Sequence, residues 1–206
     1  MKKKLGILLS GRGSNFEAIA ASVRNGALDA EIAVVLSNRP GARGIEIARE
    51  LGLPAIVIPS AGVPREEFDQ RVVEELERRE VDLVCLAGFM RLLTPRFIRA
   101  FEGRIVNIHP SLLPAFPGLD AQAQALSHGV RISGCTVHFV DEHLDAGPII
   151  MQAAVLVEDG DTAGTLSERI LKAEHHVYSQ AIALVLSGNY RIEGRRVIRT
   201  APHPVK

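Results

Sequence analysis

Cysteine, excess charge and long apolar runs are all scarce in this 206-residue chain, and each scarcity excludes something. The two cysteines, Cys85 and Cys135, sit in apolar, strand-like runs. They read as small buried hydrophobes, reduced thiols of a reducing compartment, and a cytoplasmic location is expected. Basic and acidic residues balance at 24 each, for a formal net charge of zero. A nucleic-acid binder needs a basic excess to neutralise phosphates, so that class is not expected. No apolar stretch approaches the ~20 residues of a membrane span. Lys2 to Lys4 precede only about five apolar residues before Ser10-Gly11, too few for a secretory signal core. Neither an HExxH motif nor paired-cysteine spacing is present, so no catalytic metal is expected. There is no internal repeat, low-complexity linker or composition break, which points to one domain over residues 1–206.

What is present is an alternation. Apolar runs at 5–9, 31–36, 54–58, 81–87 and 104–108 predict strands. Between them, helical spacing predicts helices over 15–23, 45–51 and 65–79, with a short helical piece before the fifth strand. Strands that are apolar along their whole length belong to a mostly parallel sheet covered on both faces, an α/β class. The second part differs. Runs at 132–140 and 148–157 predict longer strands joined by a short connection, an antiparallel pair. A long helix over 163–186 stops at Gly188-Asn189, and Glu193-Gly194 predicts a hairpin turn before a short last strand.

Two places carry chemistry. Ser10-Gly11-Arg12-Gly13-Ser14-Asn15 lies between the first strand and first helix. Its glycines let backbone approach a ligand, and the free N–H groups of a helix start attract anions. Ser14 and Asn15 are also residue types that cap helices. The run is neither a dinucleotide fingerprint nor a P-loop; it reads as a single-phosphate site or as a plain tight turn. In Ile105-Val106-Asn107-Ile108-His109-Pro110, Asn107 and His109 point to one face at the C-terminal end of a strand, where ligands of open α/β sheets bind. An amide there can donate to a developing oxyanion, and an imidazole can move protons. Asp145, in the turn Leu144-Asp145-Ala146-Gly147-Pro148, would favour the imidazolium if it lay beside His109. The bland alternative is a pair of polar strand-end residues and a turn former.

These segments, with Leu86-Ala87-Gly88-Phe89-Met90-Arg91-Leu92-Leu93, Asn107 to Pro114, and Gly134-Cys135-Thr136-Val137-His138-Phe139-Val140, resemble the phosphoribosylglycinamide formyltransferases, collinearly from Leu5 to Gly188. The resemblance implies a three-layer, Rossmann-like fold: a mostly parallel central sheet with an antiparallel C-terminal part. It implies transfer of a formyl group from 10-formyltetrahydrofolate to the amine of 5-phosphoribosylglycinamide, without a metal, by a monomer or homodimer. In that reading Gly13, Ser14 and Asn15 hold the substrate phosphate and Glu174 contacts the ribonucleotide. Arg65 and Met90, Arg91, Leu92 and Leu93 line the folate site, together with Asn107, Asp141, Glu142, His143, Leu144 and Asp145. Asn107, His109 and Asp145 form the catalytic group. The phosphate falls to the N-terminal half, and the C-terminal half contributes to the folate site.

From the residues alone, Met90, Leu92 and Leu93 suit a flat pterin or a core helix equally. His138 reads as either a core-edge or a lining residue, and His175 and His176 as surface or capping residues, since neighbours in a helix do not share a face. One departure is visible: Ala121-Gln122 stands where relatives commonly carry Thr-His. Related formyl-folate hydrolases carry an N-terminal domain, and transfer-RNA formyltransferases a basic C-terminal one. A chain that opens on its first strand, ends soon after its long helix and has no net charge is expected to be neither. The presence of Asn107, His109 and Asp145 together argues against a non-enzymatic module of the same fold.

Overall fold

A computed structural model describes residues 1–200. The first half alternates β1 (Lys3–Leu9), α1 (Ser14–Arg24), β2 (Ala30–Ser37), α2 (Arg43–Glu50), β3 (Ala55–Val57), α3 (Arg65–Arg78), β4 (Leu83–Leu86), α4 (Pro95–Ala100) and β5 (Ile105–His109). The second half contains α5 (Ala121–Ser127), β6 (Ile132–Phe139), β7 (Ile149–Leu156), α6 (Ala163–Ser187), β8 (Tyr190–Glu193) and β9 (Arg196–Arg199). All nine strands form one sheet in the order β3-β2-β1-β4-β5-β6-β7-β9-β8. Pairs among β1 to β5 are parallel, whereas β5–β6, β6–β7 and β8–β9 are antiparallel, and β9 touches β7 in parallel. The expected sheet, with its antiparallel C-terminal part, is therefore the one observed.

Side-chain alternation builds two cores. Leu5, Ile7 and Leu9 of β1 face a layer that includes Phe16 of α1 and Tyr178 and Ile182 of α6. Leu8, Val34 and Val84 face Phe68 and Val72 of α3 and Phe97 of α4 on the other side. Successive strand residues point to opposite faces, so strands apolar throughout serve both layers. Gly6 marks a tight spot, since a Cβ there would lie 2.6 Å from Leu76. Tyr178 ties α6 to the ends of two strands, its hydroxyl lying 3.0 Å from the Leu86 carbonyl and 3.1 Å from that of Val106.

Two local expectations change. Residues 121–127 form α5, which carries too little hydrophobic signal to be read from sequence, because its buried face is only Ala121 and Ala125. Helix α1 is entered through Gly13, which is left-handed at φ 83, and no side chain caps it. Ser14 and Asn15 are therefore inside the helix and do not cap it. Only glycine fits at 13, because an added Cβ would meet the Gly44 Cα at 2.6 Å.

Candidate active site

Strands β2 and β3 extend the sheet on one side of β1, and β4 and β5 on the other. The chain thus reverses direction across the sheet between β1 and β4. In open α/β sheets that switch point, at the carboxyl ends of the strands, is where ligands bind. The loop after β1 and the loop after β4 flank this crevice. Asn107 and His109 end β5, two strands from β1, a separation of about 10 Å at normal strand spacing.

The loop after β1 leaves the first N–H groups of α1 uncapped, an arrangement suited to an anion. Arg12 is exposed at its tip, Ser14 is half-buried and Asn15 is buried. The Asn15 amide donates to Glu174 Oε2 of α6 at 2.7 Å, and its Oδ1 is buried with no protein partner. Burial raises the Glu174 carboxyl above its ordinary range, opposed by the Asn15 hydrogen bond. The structure thus brings Glu174 to the phosphate-loop candidates across 159 residues of sequence.

At the other wall, His109 is 5% exposed. Its Nε2 lies 2.9 Å from the Phe116 carbonyl, and its Nδ1 lies 3.4 Å from Asp145 Oδ2. Both ring nitrogens therefore face oxygens. Asp145 Oδ2 also accepts from the Gly118 N–H at 2.8 Å, and Oδ1 lies 3.7 Å from His138 Nε2. Burial pushes the Asp145 carboxyl up, but the hydrogen bonds from His138 and Gly118 and the charges of His109 and His138 outweigh it. Its pKa is held below the usual carboxylate range. Asp145 reaches this place because its loop folds back tightly. Its own backbone is left-handed at φ 50, and a Cβ on Gly147 would stand 2.0 Å from the Phe139 carbonyl oxygen.

His138, for which the sequence left a core-edge and a lining place open, is buried at 2% exposure against this group. It is the register partner of Asn107 across β5–β6. Its Nδ1 lies 2.8 Å from the Phe139 carbonyl oxygen, and its Nε2 lies 3.2 Å from the Asn107 amide nitrogen. The Phe116 carbonyl and Gly118 N–H are further members that sequence reasoning missed. The alternation of His138 with apolar residues was the one available signal, and register decided it.

The remaining candidates divide. Residues 88–94 form a loop, so the core-helix alternative for Met90 to Leu93 falls. Met90 is 60% exposed and Leu92 55%, while Arg91 and Leu93 are half-buried. Leu144, 58% exposed, adds a further apolar side chain from the Asp145 loop. Asp141 Oδ1 accepts from the His143 N–H at 2.9 Å, Glu142 lies 3.6 Å from Arg99, and His143 is exposed. Arg65 opens α3, exposed, and its side chain makes no hydrogen bond or ion pair among the described residues. His175 is half-buried rather than superficial, and its Nε2 lacks a partner. Both cysteines are buried and free, as expected. Among the described residues no group of three or more His, Cys, Asp or Glu is placed to hold a metal, and no helix is long and apolar enough to cross a membrane.

A doubly wound sheet with an uncapped helix start at its switch point, and an amide, an imidazole and a carboxylate gathered beside it, is the architecture of an α/β enzyme. The formyl transferase family model matches residues 3–182. Phosphoribosylglycinamide formyltransferase of Bacillus subtilis is 43% identical over 93% of this chain and 98% of its own length. The trifunctional purine biosynthetic protein adenosine-3 of Drosophila pseudoobscura is 46% identical over 100% of this chain, which spans only 15% of that larger protein. The crystal structure of glycinamide ribonucleotide transformylase 1 from Symbiobacterium toebii superposes with a TM-score of 0.95 at 50% identity, covering 97% of this chain and 95% of that one. The chain belongs to the formyl transferase family.

Proposed function

We propose that this protein transfers the formyl group of 10-formyltetrahydrofolate to the amine of 5-phosphoribosylglycinamide, in purine biosynthesis. The single observation that carries the reading is the buried His109–Asp145 pair, 3.4 Å apart, beside Asn107 at the switch point. The identities with a named phosphoribosylglycinamide formyltransferase and with a purine biosynthetic protein support the choice of acceptor.

The uncapped start of α1, at Gly13, Ser14 and Asn15, holds the acceptor's phosphate through backbone N–H groups, with Glu174 next to it for the ribonucleotide. The exposed apolar side chains Met90, Leu92 and Leu144 fit a flat pterin, and Arg65, Arg91, Leu93, Asp141, Glu142 and His143 surround that side. When bound, the formyl folate supplies an activated formyl carbon and a nitrogen leaving group. His109, oriented by Asp145 at Nδ1, turns its Nε2 from the Phe116 carbonyl and donates toward the oxygen that gains charge as the acceptor amine attacks. The Asn107 amide donates to the same oxygen once it turns from His138. Asp145 stays ionised and fixes the orientation of the His109 ring. No step needs a metal. The N-terminal half thus serves the acceptor phosphate and the C-terminal half completes the donor site, within one domain. A cytoplasmic monomer or homodimer acting on these two small molecules fits the balanced charge and reduced thiols.

The test is a transfer assay with 10-formyltetrahydrofolate, with and without the ribonucleotide. Tetrahydrofolate is expected only when both are present. Equal consumption without the acceptor would make the protein a hydrolase and leave the phosphate loop unexplained.

A further inference from the structure

Ser10, Asn38 and Ser60 are polar side chains sunk at the ends of the parallel strands, at 3%, 6% and 9% exposure. None belongs to the catalytic group or to the phosphate cradle. They form one chain of hydrogen bonds. The Ser10 hydroxyl donates to Asn38 Oδ1 at 2.6 Å, and the Asn38 amide donates to Ser60 Oγ at 3.1 Å. At its other end the Ser10 oxygen accepts the Met90 N–H at 2.8 Å, and the Ser10 N–H donates to the Gly88 carbonyl at 3.0 Å. The Ser60 N–H donates to the Asn38 carbonyl at 3.2 Å.

The order of these residues is informative. Ser60 follows β3, Asn38 follows β2, Ser10 follows β1 and Met90 follows β4. That is the strand order of the sheet on this side, so the chain of bonds runs strand by strand along the floor of the crevice and ends on the loop that exposes Met90 and Leu92. The far end of the loop is fastened separately. Asp69, buried in α3, accepts the Thr94 N–H at 2.6 Å, and the Arg91 guanidinium lies 4.7 Å from the centre of the Phe68 ring. A short loop that must present two apolar side chains to water has little packing to hold it in place. Buried hydrogen bonds to its backbone supply that restraint.

We propose that Ser10, Asn38 and Ser60 are positioning residues for the formyl-donor site, so that the first residue of the phosphate-loop motif governs the folate and not the phosphorylated acceptor. The proposal rests on the functional reading above, which assigns the Met90–Leu93 loop to the donor. Ser10 stands at the fork between the two loops. Its side chain turns toward Met90, whereas the anion-facing N–H groups begin beyond Gly13. Removing the hydroxyl leaves two partners unsatisfied, the part-buried Met90 N–H and the buried Asn38 Oδ1, while the Gly13–Asn15 backbone keeps its contacts.

The experiment is steady-state kinetics of Ser10→Ala and Ser60→Ala with both substrates varied, together with thermal unfolding and amide exchange of residues 88–94. Ser10→Ala is expected to raise the donor KM roughly tenfold, the scale of one buried hydrogen bond. The ribonucleotide KM should stay within about twofold. Ser60→Ala breaks the relay at its far end, and its donor KM should rise about threefold with faster exchange in 88–94. A folded Ser10→Ala enzyme whose ribonucleotide KM rises as much as the donor KM, or whose KM values both stay put, overturns the proposal. If Ser10→Ala does not fold, unchanged donor KM and unchanged exchange in Ser60→Ala do so instead. Absence of transfer by the wild-type protein refutes the functional reading by itself and is visible before any variant is made.

Discussion

Replacing Asp145 by Asn tests the proposed catalytic group with the least collateral damage. Asp145 sits at φ 50, a left-handed conformation that Asn tolerates better than Ala, so the loop backbone is expected to hold. The Asn carbonyl can still accept the Gly118 N–H that now reaches Oδ2 at 2.8 Å. What is lost is the negative charge 3.4 Å from His109 Nδ1. Against an imidazole that carries the proton, at an effective dielectric of about 20, that attraction amounts to roughly 5 kcal/mol before desolvation is set against it. Both side chains are under 10% exposed, at 7% and 8%, so solvent screens the pair little. Removing one positioned electrostatic partner from such a site typically costs about 2.7–4 kcal/mol, or about 100- to 1,000-fold in kcat. The assay is tetrahydrofolate formation at saturating substrates, with thermal unfolding as the check on folding. The pH profile adds a signed test. The carboxyl is held below its usual range, so Asp145 remains ionised as pH falls through 6 and 5, and its contribution is lost only below the ordinary carboxylate range. An acid limb near neutrality must then come from another group. A folded Asp145→Asn enzyme with kcat within threefold of wild type would refute the assigned role.

Asn15→Ala removes the donor to Glu174 and should weaken ribonucleotide binding more than folate binding; calorimetry showing equal losses would mean the loop after β1 is misassigned. Glu174→Gln keeps an acceptor for Asn15 and removes a carboxyl whose folded pKa lies above its usual 4.5. Such a carboxyl stabilises fully below about pH 4.5, and that contribution is lost as pH rises through the folded value, so the stability gain of the Gln variant should grow with pH and then level off. Urea midpoints that track wild type in parallel from pH 4 to 7 would contradict this. Cys135, pushed up to about 12 chiefly by burial with help from Glu174, and Cys85, raised further by complete burial, should resist alkylation at pH 8 until denaturant is added. Labelling of the folded protein within minutes would show that the thiols are accessible.

Periodicity and punctuation made most of the fold legible in the sequence. Continuous apolar runs separated by helical spacing specify strands that serve two cores, and that specifies an α/β sheet. Asn107 and His109 were visible because two polar residues on one face interrupt an apolar strand just before a proline. The resemblance of whole motifs pointed to the chemistry, and the family assignment agrees with it. Helix α5 escaped because alanines at 121 and 125 bury almost no area and leave no periodic trace. The role of His138 escaped because it depends on the antiparallel register that sets it opposite Asn107, and register is a property of paired strands. Ser14 and Asn15 have the composition of helix caps, yet the close approach of Gly13 to Gly44 starts the helix one residue earlier than a side-chain cap would allow. Local sequence thus determined the elements and the residue types at the site. Only tertiary structure decided which of them meet. The 3.4 Å between His109 and Asp145, the 2.7 Å between Asn15 and Glu174 and the relay from Ser60 to Met90 all join residues distant in the chain, and contacts of that kind arise from how strands order and register against one another.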